Sequence, residues 1–159
     1  MIVMCTASTH SLRSYTSYSY SFWCAEQAFE QYAPGVIEAV SGYSGPNGID
    51  NPTYRNHPGH YEVILIEYDP LKTTYKLLVE YAWRNIDPFN GAGQFCDYGS
   101  SYYPAIFYDG DEERMAAEEV KEEILQQYPT WDEDSLVVPF IGTTTKVLDG
   151  RGLSSRLLY

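Results

Sequence analysis

The run Tyr61-Glu62-Val63-Ile64-Leu65-Ile66-Glu67-Tyr68 constrains this chain most. So many β-branched and aromatic residues in eight positions read as a strand, and Asp69-Pro70 stops it. Residues 74–85 follow as an amphipathic helix, with Leu77, Leu78, Tyr81 and Ala82 turned toward the core. Other elements alternate in the same way. Residues 15–22 alternate aromatic with Ser or Thr, a strand pattern. A helix follows in which Phe22, Cys24, Ala25, Ala28, Phe29 and Tyr32 share a face, with Ser21 as its N-cap and Pro34-Gly35 as its end. Strands are expected over 36–43, 104–108 and 135–141, and a helix over 112–128 with Val120, Ile124 and Tyr128 in line. Residues 1–14 read as a tail. No internal repeat is visible.

Interleaved strands and helices define an α/β protein. Its 159 residues, 44% hydrophobic, suit one domain over 15–159 with a core of its own. Two segments carry no core pattern: 42–60 and 87–102, rich in glycine, tyrosine and polar residues. Long structureless loops in a compact domain usually carry function. A net charge of −12 excludes a nucleic-acid binder, which needs clustered Lys and Arg. The acidic residues between Asp109 and Asp134 read as the solvated face of a helix and its flanks. No apolar run approaches the roughly 20 residues of a membrane span. Three cysteines, Cys5, Cys24 and Cys96, are too few for a disulfide scaffold and suit a reducing compartment, so a cytoplasmic protein is expected, with an organelle as the alternative. Tyrosine, at 16 of 159, is overused, and we have no physical account of the excess.

Short blocks then carry a resemblance. Ser21-Phe22-Trp23-Cys24-Ala25-Glu26 is similar to the active-site motif of the peptide methionine sulfoxide reductase A family, in which a cysteine followed by Phe-Trp opens a helix. The likeness continues through Gly42-Tyr43-Ser44-Gly45, Asn51-Pro52-Thr53-Tyr54, Gly59-His60-Tyr61-Glu62 and Tyr68-Asp69-Pro70. It resumes at Gln94-Phe95-Cys96-Asp97-Tyr98-Gly99 and Tyr102-Tyr103-Pro104-Ala105-Ile106-Phe107. The blocks keep the family's order over about residues 20–108.

The resemblance implies a two-layer α+β sandwich, a mixed sheet packed by helices in a ferredoxin-like arrangement. It implies reduction of methionine-(S)-sulfoxide, free or in proteins, through a cysteine sulfenic acid. Thioredoxin or a small dithiol would be the electron donor, with no metal and no bound cofactor, in a monomer. Such chemistry needs a soft nucleophile, a proton for the departing oxygen and an apolar pocket for the methyl group. Position 21 would hold the nucleophile, where a helix N-terminus favours a thiolate. Phe22 and Trp23 would wall the pocket, and Glu62 would be the acid, its proton retained by partial burial. Tyr43 and Tyr102 would hydrogen-bond the sulfoxide oxygen, with Asp97 as a loop carboxylate beside them. Cys24 and Cys96 are the candidate resolving thiols.

Plainer readings stand beside these. Phe22 and Trp23 also suit a core, and Glu62 an outward-facing strand position. His60 with Glu62 makes a poor metal site without further ligands. The chain also departs from the family. Ser21 stands at the cysteine position, Tyr20 replaces a glycine, Tyr103 replaces a common arginine, and residues 142–159 are atypical and hold no cysteine. A serine hydroxyl cannot enter the sulfenic acid cycle, so the chain as written is expected to bind a sulfoxide without reducing it. Ser21 is then an introduced substitution, the mark of an inactive sulfoxide-binding relative, or a sign that Cys24 has taken over. A structural domain with decayed motifs is the remaining reading.

Overall fold

The computed structural model describes the backbone over residues 2–7, 12–16, 22–45, 50–94, 96–142 and 148–149, and the side chains of residues 25–142 within those ranges. At its centre is β4 (Tyr61–Tyr68), with the bounds its composition predicts. On one side it pairs antiparallel with β3 (Val36–Ser44), in a register that sets Tyr43 opposite Glu62, Ser41 opposite Ile64 and Ala39 opposite Ile66. On the other lies the hairpin of β1 (Ile2–Ala7) and β2 (Leu12–Thr16), with β1 parallel to β4. Residues 1–14, expected as a tail, therefore carry a strand against the middle of the sheet. Ile2-Val3-Met4-Cys5 is too short an apolar run to show a period of its own.

Two two-residue strands, β5 (Gly93–Gln94) and β6 (Asp97–Tyr98), form a small hairpin in the second long loop. The main sheet continues through β7 (Ala105–Tyr108) to β8 (Phe140–Gly142), which run parallel. At the opposite edge β9 (Leu148–Asp149) pairs with Gly42 and Tyr43 of β3. The strand expected over 135–141 starts late, because Pro139 has no N–H to give a ladder. Its carbonyl still accepts from the Ile106 N–H at 3.0 Å.

Three helices contribute to one core with the face of the sheet that carries Ile64, Ile66 and Ile106. The first, α1 (Phe22–Tyr32), buries Ala25 and Phe29, and the turn after it buries Ala33. That line of i, i+4 and i+8 leaves Tyr32 on the outside, 69% exposed, contrary to its expected place on the inner face. Gly35, at φ +83°, makes the reversal into β3 that a side chain would strain.

The Thr74 hydroxyl caps α2 (Tyr75–Trp83) by accepting from the Leu77 N–H at 3.3 Å. Its inner line is Tyr75, Leu78, Val79, Ala82 and Trp83, so Leu77, expected inside, is 51% exposed. The third helix, α3 (Gly110–Gln127), buries only Ala117 and Val120. Ile124 is partly buried against the core, but Tyr128 leaves the expected line and stacks on Trp131, ring centres 4.6 Å apart. Its acidic outer side meets Lys76, which reaches Glu119 at 2.9 Å and Glu123 at 2.7 Å. Among the described residues no helix is long and apolar enough to cross a membrane.

Candidate active site

The site is built outward from one cross-strand pair. Directly opposite residues of antiparallel strands project their side chains to the same face, so Tyr43 and Glu62 stand together on the helix-covered side. They lie in line with the buried pairs Ser41–Ile64 and Ala39–Ile66. Glu62 thus ends a buried stripe that beyond Tyr43 is apolar except for Ser41. It is 1% exposed and Tyr43 is fully buried, so Glu62 does not take the outward-facing place that a carboxylate in such a strand would by default.

Helix α1 runs back along β3. Glu30 accepts from the Ala39 N–H at 3.2 Å, and Glu26 accepts from both the N–H, at 2.8 Å, and the hydroxyl of Ser41. Four residues of helix rise about 6 Å and two residues of strand about 6.6 Å, so the two elements keep step. One more step places the first residue of α1, Phe22, at the level of Tyr43 and Glu62. The start of the helix thus lies level with the Tyr43–Glu62 pair. Ser21, which precedes it, lies outside the described residues, as do the side chains of Phe22, Trp23 and Cys24.

The second long loop supplies the other wall. Gln94, fully buried, takes an N–H from Asp87 at 2.8 Å and donates to the Asp87 and Asn90 carbonyls at 2.8 and 3.4 Å. That amide ties the loop into a closed turn. Gly93 is required beside it, because a Cβ there would sit 2.1 Å from the Asp97 carbonyl oxygen. The β5–β6 hairpin then carries Asp97, and a short 3₁₀ turn over Ser100–Tyr102 brings Tyr102 to Glu62. Tyr102 lies within electrostatic reach of the Glu62 carboxyl group.

Burial pushes the Tyr43 phenol well above its usual value of 10, with Glu62 and, once they ionise at high pH, Tyr102 and Tyr54 acting the same way. Burial first, then Glu62 and Asp97, push Tyr102 up to about 12. Both phenols are thus held as neutral O–H groups that can donate. A raised phenol pKa favours the protonated folded state, and its contribution is whole below pH 10. Above that the unfolded chain sheds its protons first, so the contribution fades as pH rises toward 12. The urea midpoint should therefore fall between pH 10 and 12, and Tyr102→Phe should make that fall shallower. An unchanged slope in Tyr102→Phe would remove Tyr102 from this account.

Three residues of the site have no catalytic or substrate-binding role in the sequence reading. Tyr54 lies within electrostatic reach of both phenols. His60 is 5% exposed and meets Tyr43 edge-on, centroids 6.5 Å apart. His57 lies flat on Tyr43 at 4.7 Å. Tyr54 and His60 sit in blocks of the recognised pattern, but a lone histidine such as His57 gives no signal in sequence. Of the candidate thiols, Cys96 is free and exposed, next to Asp97. Among the described residues no group of three or more His, Cys, Asp or Glu side chains is placed to hold a metal ion.

A buried carboxyl group beside two neutral phenols defines a site that offers protons and hydrogen bonds to a small polar group. Residues 19–144 match the model of the peptide methionine sulfoxide reductase family. Over 110 residues the chain is 40% identical to peptide methionine sulfoxide reductase MsrA 2 of Staphylococcus aureus strain MW2, an alignment covering 67% of this chain and 61% of that one. With MsrA of Bacillus licheniformis it shares 42% over 107 residues, covering 65% and 58%. Among solved structures, methionine sulfoxide reductase A of Corynebacterium diphtheriae superposes with a TM-score of 0.65 at 27% identity, over 84% of this chain and 64% of that one. Reduced Mxr1 of Saccharomyces cerevisiae shares the fold, with a TM-score of 0.64 at 17% identity, over 90% and 78%. The chain belongs to the peptide methionine sulfoxide reductase family. It spans about three fifths of the length of those two curated relatives.

Proposed function

We propose that this cup binds methionine sulfoxide and that its chemistry is reduction of the sulfoxide to methionine by a nucleophile at position 21. The observation that carries the reading is Glu62, 1% exposed, facing Tyr43 in register and within electrostatic reach of Tyr102. A sulfoxide oxygen is a strong acceptor, and two neutral phenols are suited to donate to it. A buried carboxyl group is better kept as the acid than as the anion, and the acid can pass its proton to that oxygen. With cysteine at position 21 the thiolate sulfur attacks the sulfoxide sulfur and the oxygen takes a proton. The hydroxyl then shifts from the methionine sulfur to the cysteine sulfur as the bond between the two sulfurs breaks, so methionine departs and the cysteine is left as a sulfenic acid. A second thiol condenses with it, releasing water and leaving a disulfide, which thioredoxin or a small dithiol reduces. Cys24 and Cys96 are the candidates for that second thiol, and no metal or bound cofactor enters the scheme. We place the reaction in one domain, a monomer, in the reducing conditions of the cytoplasm.

With Ser21 in place the chain keeps the cup and lacks the soft nucleophile. It then acts as a binder of methionine sulfoxide, the second reading that Ser21 itself favours. Calorimetric titration with a short peptide carrying methionine sulfoxide tests the binding. The chain as it stands should bind that peptide and ignore its unoxidised twin. Tyr43→Phe should weaken binding by about tenfold, the worth of one buried hydrogen bond. No heat from the parent chain at millimolar peptide would remove both readings.

A further inference from the structure

We propose that His57 is a positioning residue, an imidazole plate that fixes the ring of Tyr43 and thereby the direction of its hydroxyl. The inference rests on the cup being the sulfoxide site and adds a residue to it. Tyr43 comes from a rigid strand, but its ring is long and turns about two bonds, so register alone does not aim the O–H group. Something must hold the ring. The two imidazoles of the first long loop meet it from different sides. His57 is stacked, with centroids 4.7 Å apart and planes 21° apart, and His60 meets it edge-on at 70°.

His57 is itself fixed. Its Nδ1 lies 2.9 Å from the Thr53 carbonyl oxygen. A carbonyl only accepts, so Nδ1 carries the proton and the ring is held in one tautomer and one orientation. Thr53 is fixed in turn by two bonds with Asn56, each N–H to the other's carbonyl at 2.9 Å. A four-residue turn therefore grips the imidazole, and the imidazole covers the phenol. The same turn carries Tyr54, the third phenol within reach of Tyr43 and Tyr102. The loop thus works as a plate with a locked hinge.

Two variants separate stacking from mere loop integrity. His57→Ala removes the plate, and His57→Phe keeps a flat ring but loses the bond to Thr53. The Tyr43 ring signals, assigned by their disappearance in Tyr43→Phe, report the stack by NMR in the parent chain. They should move downfield in His57→Ala, where the ring current of the plate is lost, and return toward their parent positions in His57→Phe. In a Ser21→Cys background, His57→Ala should lower kcat about tenfold while KM changes little, since misaimed donors act on the transition state. His57→Phe should recover most of that loss. Unmoved Tyr43 signals in His57→Ala, or equal kcat for Ala and parent, overturn the proposal. If Ser21→Cys shows no turnover, the sulfoxide reading fails on its own, and the NMR shifts still decide whether His57 holds Tyr43.

Discussion

Ser21→Cys should reduce a methionine sulfoxide peptide with dithiothreitol at least about 10³-fold faster than the unaltered chain. The reason lies in the nucleophile, since the rest of the cup is unchanged by the substitution. Attack on sulfur needs a soft, anionic partner, and a thiol has an ordinary pKa near 8.5. The unpaired N–H groups at the start of a helix lower it further. A serine hydroxyl stays protonated at any pH the fold survives, and its oxygen is hard. The product to measure is methionine, by chromatography, beside a far-ultraviolet spectrum that certifies the fold. A folded Ser21→Cys protein that makes no methionine would falsify the catalytic assignment of the cup. Turnover by the unaltered chain would instead point to Cys24.

In that active background Glu62→Gln should lower kcat by about 10² to 10⁴, the usual worth of a positioned general acid. Glutamine keeps the shape and hydrogen-bonding capacity but has no proton to give. The expected signature is a large fall in kcat with little change in KM, because the missing proton matters only as the sulfur–oxygen bond breaks. The acid limb of the pH–rate profile should go as well. If Glu62→Gln works within a factor of about three of its parent, another group supplies the proton, and Tyr43 or Tyr102 is the next to test. A burial role alone would show instead as lost stability with kcat preserved.

The parts of this protein that could be read along the chain are those with dense local signals. The bounds of β4 follow from a run in which five of eight residues are β-branched or aromatic, and from the Asp69-Pro70 stop. Pro34-Gly35 marks the end of α1. Faces were harder to read than elements. Leu77 and Tyr32 are as apolar as their neighbours, and only the angle at which each helix lies on the sheet turns them to solvent. The strand β1 was missed because four apolar residues have no period, and its place beside β4 depends on a partner about sixty positions away.

The inventory of the site was written in the sequence: a carboxyl group, two phenols and a helix start, in blocks of a known order. Their meeting was not. Tyr43 and Glu62 are separated by a loop of ordinary polarity, and they face each other only because β3 and β4 pair in one register. A shift of one residue would send each to the other face. The burial that keeps the phenols neutral, and the imidazole of His57 lying on Tyr43, likewise exist only once the loops close over the sheet. Local order tells which groups a chain owns, but proton affinity and aim depend on neighbours distant in sequence, and only the tertiary structure brings those neighbours within reach.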